Sequence, residues 1–111
     1  RQDRLVAAQV AESSAMMFNR DDVLRRLAGE VDYHWVTLQR QRQRIELFET
    51  RLLPEAAFSS EASLGAYQAA VGDLTSLLRT QLTEIELQLE HASLQAELNK
   101  TAARLAYLEG A

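Results

Sequence analysis

Apolar residues recur at seven-residue intervals through the first half of this chain: Met17, Leu24, Val31, Leu38, Ile45 and Leu52. A second row, three residues on, holds Leu27, His34, Gln41 and Phe48. A repeat of seven sustained this long argues for coiled-coil packing rather than the 3.6-residue period of a globular helix. The second row is half polar, so the seam is expected to be shared with more than one neighbour. Breakers are scarce: one proline and four glycines in 111 residues. Pro54 is expected to kink the helix or loosen one turn near Arg51 without ending it, because Ala56, Ala57, Ala62 and Ala66 continue a helix-forming composition.

The one credible reversal is Gln68-Ala69-Ala70-Val71-Gly72-Asp73. Gly72 is expected in the left-handed conformation, with Asp73 capping a new helix that starts at Leu74. From Leu74 to Leu108 no breaker occurs, and Gly110 sits where a helix would stop. This second helix carries two apolar rows. One holds Leu78, Leu82, Ile85, Leu89, Ala92, Ala96 and Ala103; the other holds Leu87, Leu94, Leu98, Leu105 and Leu108. Two separated rows call for two packing partners. The expectation is an all-α fold in a single domain, 1–111: a long antiparallel helical hairpin, with helix 1 over about 3–68, a tip at 69–73 and helix 2 over about 74–109.

The helices are unequal. The second reaches roughly 55 Å at 1.5 Å per residue, and folded back around Val71 it extends only to about Asp32. Residues 1–31 then have no partner within the chain, so self-association or membership of a larger helical assembly is expected. Asn19 with Asp21 and Asp22 resembles an N-cap with an acidic first turn. A break after Phe18 and a continuous helix are both open, and the heptad register of Met17 favours continuity.

Composition removes several functional classes. Twelve basic against sixteen acidic residues give a net charge of −4, and no basic face dominates as a nucleic-acid binder requires. The cluster Arg40, Arg42 and Arg44 reads as a solvated helix face, with phosphate binding as the weaker alternative. There is no cysteine, hence no thiolate metal site and no disulfide. No stretch approaches the roughly 18 apolar residues of a membrane span. The chain opens on Arg1 rather than Met, as expected of a piece of a longer protein. His34 and His91 are the two histidines, and the hairpin register sets them far apart, so no two-histidine metal site forms. Carboxylates sit beside bases at i,i+4 spacing, as in Arg42 with Glu46 and Arg51 with Glu55. The Glu-x-x-His pairs of a bundle di-iron centre are missing. Neither enzyme activity nor a cofactor is expected.

Three stretches in this order resemble a known family. They are Leu52-Leu53-Pro54, then Ala66-Tyr67-Gln68 before the tip, then Leu77-Leu78-Arg79-Thr80-Gln81 after it. The ending Ala103-Arg104-Leu105-Ala106-Tyr107-Leu108-Glu109-Gly110, and Glu30-Val31 with Tyr33, extend the likeness from Val23 to Gly110. The pattern is similar to the second periplasmic helical hairpin of outer-membrane efflux proteins of the TolC type. That resemblance implies a coiled-coil segment of a channel that is trimeric in full length, anchored in the outer membrane with this part in the periplasm. It also implies a periplasmic adaptor (membrane fusion) protein and an inner-membrane pump as partners, and passive export of small molecules or metal ions.

The departures are specific. The tip glycine of the family pattern falls on Ala70, and Arg79 stands where the family often carries an acid. By the resemblance, the tip Ala69, Ala70, Val71, Gly72, Asp73 and Leu74 is the docking site for the adaptor. Small side chains there permit close approach, and a plain connector is the bland alternative. Asp73, Ser76 and Arg79 are candidates for a pore constriction, against a simple cap and a solvated charge. Gln81, Glu84, Gln88 and Gln95 are expected to supply a polar, water-lining face. Tyr33 and Trp35 are expected as packing anchors near the open end. The rival functions are a generic coiled-coil scaffold or dimerisation hairpin, and an adaptor's own hairpin. The last normally leads into Gly-rich strands that this chain lacks.

Overall fold

The computed structural model describes residues 1–110 and is an all-α hairpin. Helix α1 runs Gln2–Leu47, a π-helical turn follows at Phe48–Leu52, α2 spans Leu53–Gln68, and α3 returns over Leu74–Gly110. The rod measures 99 × 20 × 15 Å. Helix α1 is continuous through Asn19, so the acidic Asp21–Asp22 turn is not a helix start. Asp22 instead pairs with Arg26 at i,i+4 on the surface.

Where α3 lies alongside, the heptad rows become a seam. Leu38, Ile45 and Phe48 are buried from the first helical arm of the hairpin, Leu77, Leu94 and Leu105 from the returning one. Ile45, Phe48 and Leu94 form the centre, with Leu52, Leu87 and Leu98 packed around them. Val31 is half-buried opposite the end of α3, whereas Met17, Leu24 and Leu27 of the same rows lie in solvent. The seam therefore runs out where α3 ends.

The π-turn carries an unanticipated consequence. Up to Phe48 the seam keeps strict sevens, and one more step would bring Glu55 and Ser59 inward. Both are exposed, and Ala56 and Ser60 are buried in their place. The turn inserts one residue and advances the seam by one. Leu52, assigned to the repeat by its spacing, shares its seam position with Leu53, and both are half-buried. Within the turn the Leu53 N–H reaches back to the Phe48 carbonyl, five residues away. Pro54 has no N–H to offer, and its ring opposes the carbonyl four residues back. A widened turn is cheapest where a helical bond is already lost.

Candidate functional site

Helix α2 ends in a Schellman turn built on Ala66. The Val71 and Gly72 N–H groups both donate to the Ala66 carbonyl at 3.0 Å, and the Ala70 N–H donates to the Tyr67 carbonyl at 3.0 Å. The left-handed residue is Ala70, with φ of 60°, and no glycine has positive φ. This corrects the expectation for Gly72. That glycine is required for contact instead: a Cβ there would stand 3.0 Å from the Ala66 Cβ and 3.3 Å from backbone atoms of Ala66 and Tyr67.

Asp73 caps α3. Its Oδ1 accepts a hydrogen bond from the Ser76 N–H at 2.6 Å. That backbone bond and then a bond with the Ser76 side chain hold the carboxyl below its ordinary value against the opposing effect of desolvation, with the charge of Arg79 a lesser contribution. Asp73 and Ser76 are thus brought together as a cap. Arg79 stands a turn further on, lining a groove with Ala56, Ser59, Thr80 and Thr83, and is the one Lys or Arg between Arg51 and Lys100. At the apex Val71 is 82% exposed, and Leu74 is half exposed.

Side chains cross between the helices at three levels. Trp35 Nε1 donates to Glu109 at 3.0 Å, which anchors the open end; Tyr33 is exposed, its ring edge-on to His34 at 5.4 Å between ring centres. Arg44 pairs with Glu90 at 3.0 Å, and His91 Nε2 lies 3.0 Å from Glu49 in the π-turn. The surface pair Arg51–Glu55 forms, whereas Arg42 and Glu46 form none. Sequence reasoning missed all three crossings. No local signal marks which polar side chains of the two arms meet. Gln41 lies in the seam with its Oε1 buried and without a hydrogen-bond partner, a polar interruption that costs the seam stability.

Helix α3 has two apolar flanks. The row facing α1 and α2 is the one through Leu87, Leu94, Leu98, Leu105 and Leu108. The other, Leu78, Leu82, Ile85 and Leu89, is exposed, reaching 66% at Leu89. The two rows lie roughly 150° apart around the helix axis. Gln88 and Gln95 are exposed as expected of a polar face, but Gln81 and Glu84 are half-buried at the seam, which removes them from a free water-lining row. Among the described residues no group of three or more His, Cys, Asp or Glu side chains gathers to hold a metal ion. No helix is long and apolar enough to cross a membrane.

These features define the class: an antiparallel helical hairpin, coiled-coil in character, with apolar surface left uncovered on one face, along a single-helix shaft and at the tip. Compared with family models, curated proteins and solved structures, the chain matches none.

Proposed function

We propose that this hairpin is a wall segment of the periplasmic coiled-coil duct of a trimeric outer-membrane efflux channel. In this reading it is a passive conduit for small molecules or metal ions, working with an adaptor protein at the tip and an inner-membrane pump beyond it. The observation that carries the reading is the double-sided apolar character of α3. A helix in the wall of a closed ring touches a neighbour on each flank, and α3 offers a second flank (Leu78, Leu82, Ile85 and Leu89) that nothing in this chain covers. The tip supports the same reading, because Ala70 adopts the left-handed turn at the position of the pattern's glycine. A conduit wall needs polarity, shape and a docking mouth rather than reactive groups.

Planar-bilayer recording of the purified full-length protein tests this directly. Stepwise conductance from a trimer is expected. An absence of conductance, together with a parent gene that encodes a motor, kinase or lipoyl domain beside this segment, would exclude the duct. One observation favours the scaffold alternative: the seam rows continue uncovered through Val6, Val10, Met17, Leu24 and Leu27, as in a two-stranded coiled coil. A stable dimer without conductance would select it.

A further inference from the structure

We propose that the hairpin is built in two parts of unequal cohesion: its tip half, residues 53–88, parts and rejoins as a unit, while the base half stays zipped, and the π-turn is the boundary. The proposal concerns the hairpin itself and stands whether or not it lines a duct.

Seam composition is the first argument. In the base half, α1 buries Leu38, Ile45 and Phe48 against Leu94 and Leu105. In the tip half, α2 offers Ala56, Ser60, Ser63 and Ala66, and the facing positions of α3 are Leu77, Thr80, Gln81 and Glu84. Leu77 is the one large apolar side chain buried there; Leu53 and Leu87, where this half meets the π-turn, are half-buried, Leu87 against the Ile45–Phe48–Leu94 cluster, while Phe58, Leu78, Leu82 and Ile85 point away into solvent. Cohesion follows the apolar area withdrawn from water, and Ala and Ser withdraw little.

The cross-ties are the second. Among the described residues, every side-chain hydrogen bond or ion pair between the two arms lies at or above the π-turn: Trp35–Glu109, Arg44–Glu90 and Glu49–His91. Below it the hydroxyls of Thr80 and Thr83 bond within their own helix. A groove of about 170 Å³ lies between the arms, lined by Ala56, Ser59, Arg79, Thr80 and Thr83. The third argument is the boundary. To leave α3, α2 must bend away from α1, and it bends most easily where the helical ladder is widened at Phe48–Leu52 and interrupted at Pro54. Above that point the Ile45–Phe48–Leu94 cluster closes the seam. Segments with few buried apolar contacts open locally well before the whole molecule does.

Amide hydrogen exchange on the intact protein tests this. Amides of 56–68 are expected to exchange at least about tenfold faster than those of 38–47; equal protection overturns the proposal. Because the chain has no cysteine, spin labels at Ser59→Cys with Thr83→Cys, and separately at Thr37→Cys with Glu97→Cys, report the two halves alone. A broad or two-peaked distance distribution in the first pair and a narrow one in the second is expected. Two narrow distributions overturn it. Ser60→Leu with Ser63→Leu should narrow the first distribution, and an unchanged breadth in a folded variant removes the seam as its cause. Should that variant not fold, exchange of the unaltered protein still decides.

Discussion

Ala70 holds a left-handed backbone conformation that glycine adopts freely and that L-residues other than asparagine and aspartate seldom do. Its φ of 60° is imposed by the turn, since the Ala70 and Val71 N–H groups must reach back to Tyr67 and Ala66. Replacing Ala70 by Gly removes the Cβ conflict and is expected to stabilise the hairpin by about 1 kcal/mol, read from urea melts followed by circular dichroism. A neighbouring site responds in the other direction: Gly72→Ala drives a methyl against Ala66 and should lower the same midpoint. Asp73 gives a pH signature. Its folded carboxyl lies below the ordinary value, mainly through the Ser76 N–H bond. The cap's contribution is therefore complete above the ordinary carboxylate range and is lost as pH falls through the lowered value. Asp73→Asn keeps the cap without the titration, so the acid limb of stability against pH, measured from about pH 5 down to pH 2, should flatten in that variant. The place of the turn was readable from glycine and aspartate in a chain with so few breakers. Which residue turns left-handed was not, because that is fixed by where α2 stops, and no residue at that end announces it.

At the scale of the element, the loosened turn was legible and its meaning was not. Pro54 marks a lost helical bond near Arg51, and the widened turn at Phe48–Leu52 is its outcome. That the turn also re-phases the seam appears only when the burial of Ala56 and Ser60 is set against the exposure of Glu55 and Ser59. Small residues hide the shift, since Ala and Ser in α2 give no apolar stripe for periodicity to follow. If the extra residue is a true insertion in the repeat, deleting Thr50 in a Pro54→Ala background restores both a regular helix and an unbroken seam. That deletion should cost less than about 1 kcal/mol relative to Pro54→Ala alone, whereas deleting Gln43 instead misaligns large seam residues and should cost about 2–5 kcal/mol. Comparable losses in the two deletions would show that Pro54 alone dictates the wide turn.

Across the whole molecule, the unequal helices and the uncovered row on α3 follow from counting residues and reading two apolar stripes. Which stripe faces inward required the coordinates, since both have the spacing of a seam. The exposed stripe yields a prediction that separates folding from assembly. Leu82→Glu with Leu89→Glu leaves the inner seam untouched and should hold the unfolding free energy of the isolated hairpin, from urea melts, within about 0.5 kcal/mol of the parent. If α3 lines a ring as proposed, the same pair should abolish trimer formation of the full-length protein, assayed by crosslinking. Trimers that persist with two buried carboxylates would remove that face from the ring wall.

The elongation of the rod has a consequence for any experiment in solution. Its radius of gyration is 27.3 Å, a value that a compact fold reaches only at about 750 residues. A single copy will emerge early from a sizing column and diffuse like a far heavier globule. Elution volume by itself would count partners that are not there; light scattering, which weighs the particle instead of timing it, gives the true stoichiometry.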